Sequence, residues 1–159
     1  MSMSIKLDVA GVLGVMDSLD RDCQEAARPA AQAGAQVLYD AVVQNVQGIK
    51  AHTGNLRRSI YQAYSKDNSD DGRAQYHISW NAKKAPHGHL VEWGHLQRYE
   101  ISFDPVTRRF ITHKDRPLPV PKQVAARPFV RPAVAKMPQA QEAMRQRYLL
   151  ELERRGVVK

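Results

Sequence analysis

The chain has 159 residues and a formal net charge of +8, and 43% of its residues are hydrophobic but only 7% aromatic. This length fits one domain with a modest core, and the basic charge allows contact with DNA or another acidic surface. The single cysteine, Cys23, excludes an internal disulfide framework and a cysteine-rich zinc site. No apolar run approaches the ~20 residues of a membrane span, and the N-terminus lacks a signal-peptide pattern, so we expect no membrane partner.

The N-terminal third of the chain predicts mainly helix. Residues 5–9 alternate like a short edge strand, and residues 12–19 fit a short helix. Residues 20–46 predict a long helix, in which Pro29 lies near the start or produces a kink. Its apolar stripe consists of Ala27, Ala31, Gly34 or Ala35, Leu38, Val42 and Val46.

The middle of the chain predicts a β-hairpin and a short helical turn. Residues 59–65 and 74–81 are two strand candidates, joined by the polar, turn-rich residues 68–72. Residues 86–95 then predict one helical turn that ends at Gly94. We expect both tryptophans of this region, Trp80 and Trp93, to pack in the core.

A second hairpin is predicted from residues 98–103 and 107–113, around Asp104 and Pro105. Residues 114–125 contain three prolines within five positions and predict an extended loop. This hairpin and the proline-rich loop together span residues 98–125.

Residues 126–133, which we call the arm, combine two prolines, two arginines and a phenylalanine. Each proline fixes its own backbone and pushes the preceding residue toward extended geometry, so the arm should be stiff. Pro132 suits the first position of a helix, and Pro138 should kink or restart that helix. Residues 151–159 are strongly charged with few apolar residues, and we expect a frayed tail there.

Three segments stand in a recognisable order along the chain. Thr53–Ile60 reads TGNLRRSI, His89–His95 reads HLVEWGH, and the arm reads ARPFVRPA. Together they resemble the tail-completion, or neck, proteins of long-tailed bacteriophages over roughly residues 20–150. His95 departs from that family, which more often has threonine at this position.

The resemblance implies a single α+β domain over residues 1–159, with an antiparallel sheet packed against one long N-terminal helix. A C-terminal helix and long extended loops complete the expected fold. It also implies a structural protein without catalytic activity, cofactor or metal. Such subunits form a ring, usually a hexamer, although an isolated copy can be monomeric. The expected location is the neck of the virion, after assembly in the cytoplasm of the bacterial host.

The implied partners are further copies of the chain, the head-completion or connector protein, and the tail terminator or tail-tube protein. Genomic DNA would pass through the channel of the ring. We assign the candidate interface to charged residues of the motifs and to the aromatic residue of the arm: Arg57, Arg58, Glu92, Arg127, Phe129 and Arg131.

Each of these assignments has a simpler alternative. Arg57 and Arg58 could flank a solvated turn, with Thr53 and Asn55 bonded locally. Phe129 could fill the core of its own subunit instead of anchoring to a neighbour. For Glu92 we predict hydrogen bonds from backbone N–H groups or from an arginine, either Arg127 or Arg131.

Two other functions are compatible with the sequence. His87, His89, Glu92 and His95 have the side chains of a metal-dependent hydrolase, although no cysteine supports them. A non-specific DNA-binding protein would use basic residues to contact phosphates, with strong salt dependence. The candidates for that contact are Lys83, Lys84, Arg108, Arg109, Lys114 and Arg116.

Overall fold

The computed structural model describes residues 10–50, 53–70, 72–107 and 109–158. Helix α1 spans Ala10–Gln47 and unites the two predicted helices of the N-terminal third, with Pro29 in its interior. The strand predicted over residues 5–9 lies outside the described residues. The helix buries Ala26 and Ala30, one position before the predicted Ala27 and Ala31, whereas Ala35 is buried as predicted.

The first hairpin is confirmed. Helix α2 (Asn55–Ser59) leads into strand β1 (Ile60–Tyr64), which pairs antiparallel with β2 (Tyr76–Trp80). The register aligns Ile60 with Trp80, and a 3-10 turn over Lys66–Asn68 follows β1. This small sheet packs against α1.

The second hairpin is confirmed and is longer than predicted. Helix α3 (Gly88–Trp93) precedes strand β3 (His95–Asp104), which pairs antiparallel with β4 (Arg109–Val124). We call β3, β4 and their turn the ribbon. The two hairpins form separate two-stranded sheets.

The prediction of an extended loop over residues 114–125 was wrong, because β4 continues to Val124. Its prolines occupy alternate positions, 117, 119 and 121, so their missing N–H groups share one strand edge. In a two-stranded sheet that edge can face solvent, where no ladder bond is lost. The prolines are therefore compatible with an edge strand.

The C-terminal region forms a 3-10 turn over Arg131–Lys136 followed by helix α4 (Met137–Arg154), so the helix restarts at Pro138 as predicted. The last turns differ from the expected frayed tail. Leu152 is buried, and Arg155 forms ion pairs with Asp22 and Glu25 of α1.

Two contact regions hold together the part of the chain outside the ribbon, which we call the body. Helices α1 and α4 pack closely through small residues, and a Cβ at Gly34 would collide with the Met144 side chain. The main core lies between the C-terminal half of α1, the first hairpin and the arm. It contains Ala41, Val42, Val46, Leu56, Ile60, Ala85, Phe129 and Ala133. The ribbon contributes no residue to this core among the described residues.

Candidate functional site: the Glu92 junction

Glu92 connects helix α3 to the arm, and we call this contact the Glu92 junction. The Glu92 side chain is only 3% exposed. Its Oε2 accepts hydrogen bonds from the backbone N–H groups of Phe129 (2.7 Å) and Val130 (3.0 Å). Its Oε1 accepts two more from Arg131, one from the backbone N–H and one from Nε, both at 3.1 Å. The predicted role of Glu92 is therefore confirmed, with Arg131 as the arginine.

Burial alone would raise the pKa of Glu92, because it disfavours the charged carboxylate. The hydrogen bonds from the Phe129, Val130 and Arg131 backbones, with the Arg131 side chain, outweigh burial and lower the pKa. A buried carboxylate with four donors is thus stable in its ionised form. At neutral pH the junction is therefore a structural contact in which both carboxylate oxygens of Glu92 have hydrogen-bond donors.

Further bonds fix both ends of the arm. The Arg127 N–H donates to the Val91 carbonyl (2.8 Å), and Arg131 Nη2 donates to the Glu92 carbonyl (2.6 Å). Asn45 of α1 donates from Nδ2 to the Phe129 carbonyl (2.9 Å). The arm is therefore attached to two separate helices of its own chain.

Phe129 is fully buried in the core of its own subunit. Its ring meets Trp80 edge to face, with the ring centroids 5.5 Å apart. The assignment of Phe129 as an anchor on a neighbouring copy is therefore wrong for this conformation, and the simpler alternative holds. The physical reason is that Glu92 fixes the backbone of the arm with this ring turned inward.

Two glycines allow α3 to sit where Glu92 can reach the arm. Gly88 faces the Trp80 indole, and a Cβ there would collide with the ring. Gly94 has φ 72° and ψ 172°, a conformation that essentially only glycine adopts. A Cβ at Gly94 would also lie 2.7 Å from the Val124 carbonyl oxygen and 2.8 Å from the Ala126 nitrogen.

Trp93 lies beside the junction with its indole outward. It is 65% exposed, so the expectation that it packs in the core was wrong, whereas Trp80 does pack against the core. The Arg131 guanidinium stacks over the Trp93 ring, 4.1 Å from its centroid. Arg131 thus hydrogen-bonds to Glu92 through the edge of its guanidinium group and stacks a face of that group on the exposed Trp93 ring. The sequence carried no signal for this stack, since residues 38 positions apart come together only through the arm.

The two arginines of the α2 turn have different environments. Arg58 donates from Nη2 to the Thr53 carbonyl and to Asn55 Oδ1, both at 2.9 Å, so it closes its own turn. Arg57 is exposed and lines a cleft of about 270 Å³. The cleft lies between the end of α1, α2, α3 and the ribbon. Its apolar lining comes from Val46, Ile49, Leu56, Val91 and Phe110.

The remaining candidates do not converge on a chemical site. Within the described residues, no group of three or more His, Cys, Asp or Glu side chains could hold a metal ion. Glu92 faces the arm, which leaves it committed to backbone donors. Lys83, Lys84, Arg109, Lys114 and Arg116 are all exposed, and Arg108 lies outside the described residues.

The family model described as "Bacteriophage HK97-gp10, putative tail-component" matches residues 13–94, just over half of the chain. The chain therefore belongs to the HK97-gp10-like family of phage tail components. This match includes the TGNLRRSI segment and all of α3, and it ends before the ribbon and the arm. Comparison with curated proteins and with solved structures gives no significant match.

None of the helices in the described part of the chain combines the length and apolarity needed to cross a membrane.

Proposed function

We propose that this chain is a tail-completion, or neck, protein that forms a ring at the head–tail junction. The ring would join the tail to the head connector and leave a central passage for DNA. Membership of a phage tail-component family supports this proposal. The order of the three sequence segments supports it further, because the third segment lies beyond the family match.

The observation that carries the proposal is the ribbon. A two-stranded sheet alone is marginally stable in water, and a third strand or a packed face is usually needed. Yet the ribbon has Leu96, Ile101, Phe110 and Val120 between 42% and 77% exposed, and it lies outside the core. Such an element is explained by partners that cover it in an assembly.

The proposed partners are further copies of the chain, the connector or head-completion protein above, and the tail terminator or tail tube below. Arg57, Arg127, Arg131 and Trp93 offer exposed polar and aromatic contacts on the body. Arginine and tryptophan are enriched at interface positions that contribute strongly to binding. This surface acts by complementarity and needs no cofactor.

Exposed basic residues, among them Lys83, Lys84 and Arg109, support contact between the ring and passing DNA. Binding of DNA by isolated subunits as the main activity is the competing proposal. A gel-shift titration at two salt concentrations separates the two. Phosphate binding by the chain alone should weaken steeply with salt, whereas a neck subunit should bind DNA weakly at physiological salt.

The direct test is a phage in which this gene is deleted. Negative-stain images of its lysate should show DNA-filled heads and complete tails that are not joined. Expression of the wild-type chain from a plasmid should restore joined particles, which controls for effects on neighbouring genes. Normal, joined particles in the deletion mutant would overturn the neck role.

A further inference from the structure

One face of the ribbon is apolar along its outer half. The register pairs Phe103 with Phe110 and Ile101 with Thr112, so these four side chains share a face. The two phenylalanine rings lie 5.1 Å apart, and Ile101, Phe103 and Phe110 are 42%, 37% and 54% exposed. On the other face, Ser102 bonds His113 and lies opposite Ile111 (45% exposed), and Asp104 pairs across the strands with Arg109.

A second exposed apolar surface lies at the beginning of helix α1. Residues 14–20 are all exposed, including Val15 (58%), Met16 (60%) and Leu19 (40%). The positions 15, 16 and 19 lie on one side of a helix, where they form a short apolar stripe. Asp17 and Asp20 flank it, and residues 10–20 contain no basic residue.

These two surfaces cannot meet within one chain. Phe110 of the ribbon lines the same cleft as Val46 and Ile49, at the C-terminal end of α1. Met16 lies about 45 Å from Val46 along the helix axis, at the usual rise per residue. A contact between the two surfaces therefore requires two copies of the chain.

The charges of the two surfaces are complementary. Between residues 98 and 122 the ribbon carries six basic and three acidic side chains. The exposed start of α1 carries only acidic charge. Phosphates could match the basic residues but not the apolar face, so a nucleic acid explains the ribbon less well than an acidic, apolar helix does.

We infer that the apolar face of the ribbon of one copy docks on the α1 stripe (Val15, Met16, Leu19) of the next copy. The inference rests on the proposed ring and identifies its subunit contact. Because the two surfaces differ, the contact is head to tail, and repetition of such a contact either closes a ring or extends a filament. Lys114 of the ribbon, which alternates onto the same face as Phe110 and Thr112, would approach Asp17 and Asp20 of the neighbour.

Disulfide cross-linking of the full-length chain tests this contact. In a Cys23→Ser background, one chain carries Met16→Cys and a co-expressed, differently tagged chain carries Ile101→Cys. Both positions are exposed, so the fold should tolerate the changes, and unchanged thermal unfolding checks that. Mild oxidation should give a disulfide between the two differently tagged chains. Docking would bring the Cα atoms of positions 16 and 101 to the separation of about 4.4–6.8 Å that the bond requires.

The neighbouring position provides a matched control. Ser102→Cys is one residue away but faces the other side of the ribbon, so its yield with Met16→Cys should be at least about tenfold lower. Asp17→Lys and Asp20→Lys together should reduce the yield of the disulfide between the Met16→Cys and Ile101→Cys chains severalfold. Restored yield when Lys114→Glu is added to the ribbon would assign the loss to charge.

The measurement is made on the purified chain at high concentration and on assembled particles. Absence of the mixed disulfide from both, or equal yields from Ile101→Cys and Ser102→Cys, would overturn the contact. Predominant disulfides between two Met16→Cys chains would instead indicate a two-fold contact and would also overturn it.

Failure of the proposed function gives a different result. If a mixed disulfide forms but the deletion phage still joins heads to tails, the contact stands and the neck role falls. If rings are seen at the neck without the mixed disulfide, the role stands and this contact falls.

Discussion

The arm and the ribbon both contain two or more prolines, yet they have opposite environments. The arm is short, donates hydrogen bonds to α3, accepts one from α1 and buries its phenylalanine completely. The ribbon is nearly four times as long, bonds mainly to itself and exposes its phenylalanines by 37% and 54%. The difference teaches that stiffness alone does not mark an interface. In this chain the buried carboxylate of Glu92 holds the arm against the helices.

The sharpest test compares a phenylalanine of each region. Phe129→Ala should lower the free energy of unfolding by about 3–5 kcal/mol, because it leaves a cavity beside Trp80. Phe103→Ala on the ribbon should lower it by less than about 1 kcal/mol. Urea unfolding midpoints of the two variants measure the difference. Equal losses would mean that the ribbon is part of the cooperative core.

A glycine pair tests the geometry at the junction of the two regions. Gly94→Ala should cost about 3 kcal/mol, since alanine disfavours this backbone conformation and its Cβ meets two backbone atoms. Gly54→Ala has a similar φ of 71° but open space around it, and should cost only about 1 kcal/mol. Thermal unfolding of both variants gives the comparison. A harmless Gly94→Ala would refute the close approach of α3 to residues 124–126.

The carboxylate itself is tested by Glu92→Gln, which should cost about 3 kcal/mol at pH 7 because buried donors lose an ionised acceptor. Since folding lowers the pKa of Glu92, its contribution is complete above the unfolded value of about 4.5 and disappears as the pH falls through the folded pKa. The gap between wild type and variant should therefore narrow in acid.

Unfolding midpoints measured at several pH values between 7 and 3 check this dependence. Glu142→Gln serves as the control, because Glu142 is an exposed carboxylate paired with Arg145 on the surface of α4. It should change stability far less than Glu92→Gln. A pH-independent gap for Glu92→Gln would show that the charge of Glu92 does not stabilise the arm.

The smallest effect is expected at Trp93. Trp93→Ala removes only the exposed stack with Arg131, worth about 0.5–1 kcal/mol in folding. If Trp93 is part of the proposed interface, the variant should still lose infectivity in a plaque assay. Loss of both folding and infectivity would place Trp93 with the arm rather than with the exposed surface.

Local patterns were sufficient for several elements. The long helix, both hairpins and the restart at Pro138 follow from periodicity and from proline and glycine positions. The hydrogen bonding of Glu92 was also predicted, because the resemblance to neck proteins implies a structural role for this carboxylate. The phase of the α1 stripe was not predictable, since Ala26 and Ala27 are chemically identical and only α4 selects between them.

The sequence by itself therefore determined which segments are helical, which are extended and where a buried acid needs partners. Only the tertiary structure decided that Phe129 points inward and Trp93 outward, and that residues 114–124 continue a strand. These outcomes depend on contacts between residues far apart in the chain. An aromatic residue or a proline-rich strand has no intrinsic preference for the core or for solvent until another element packs against one of its faces.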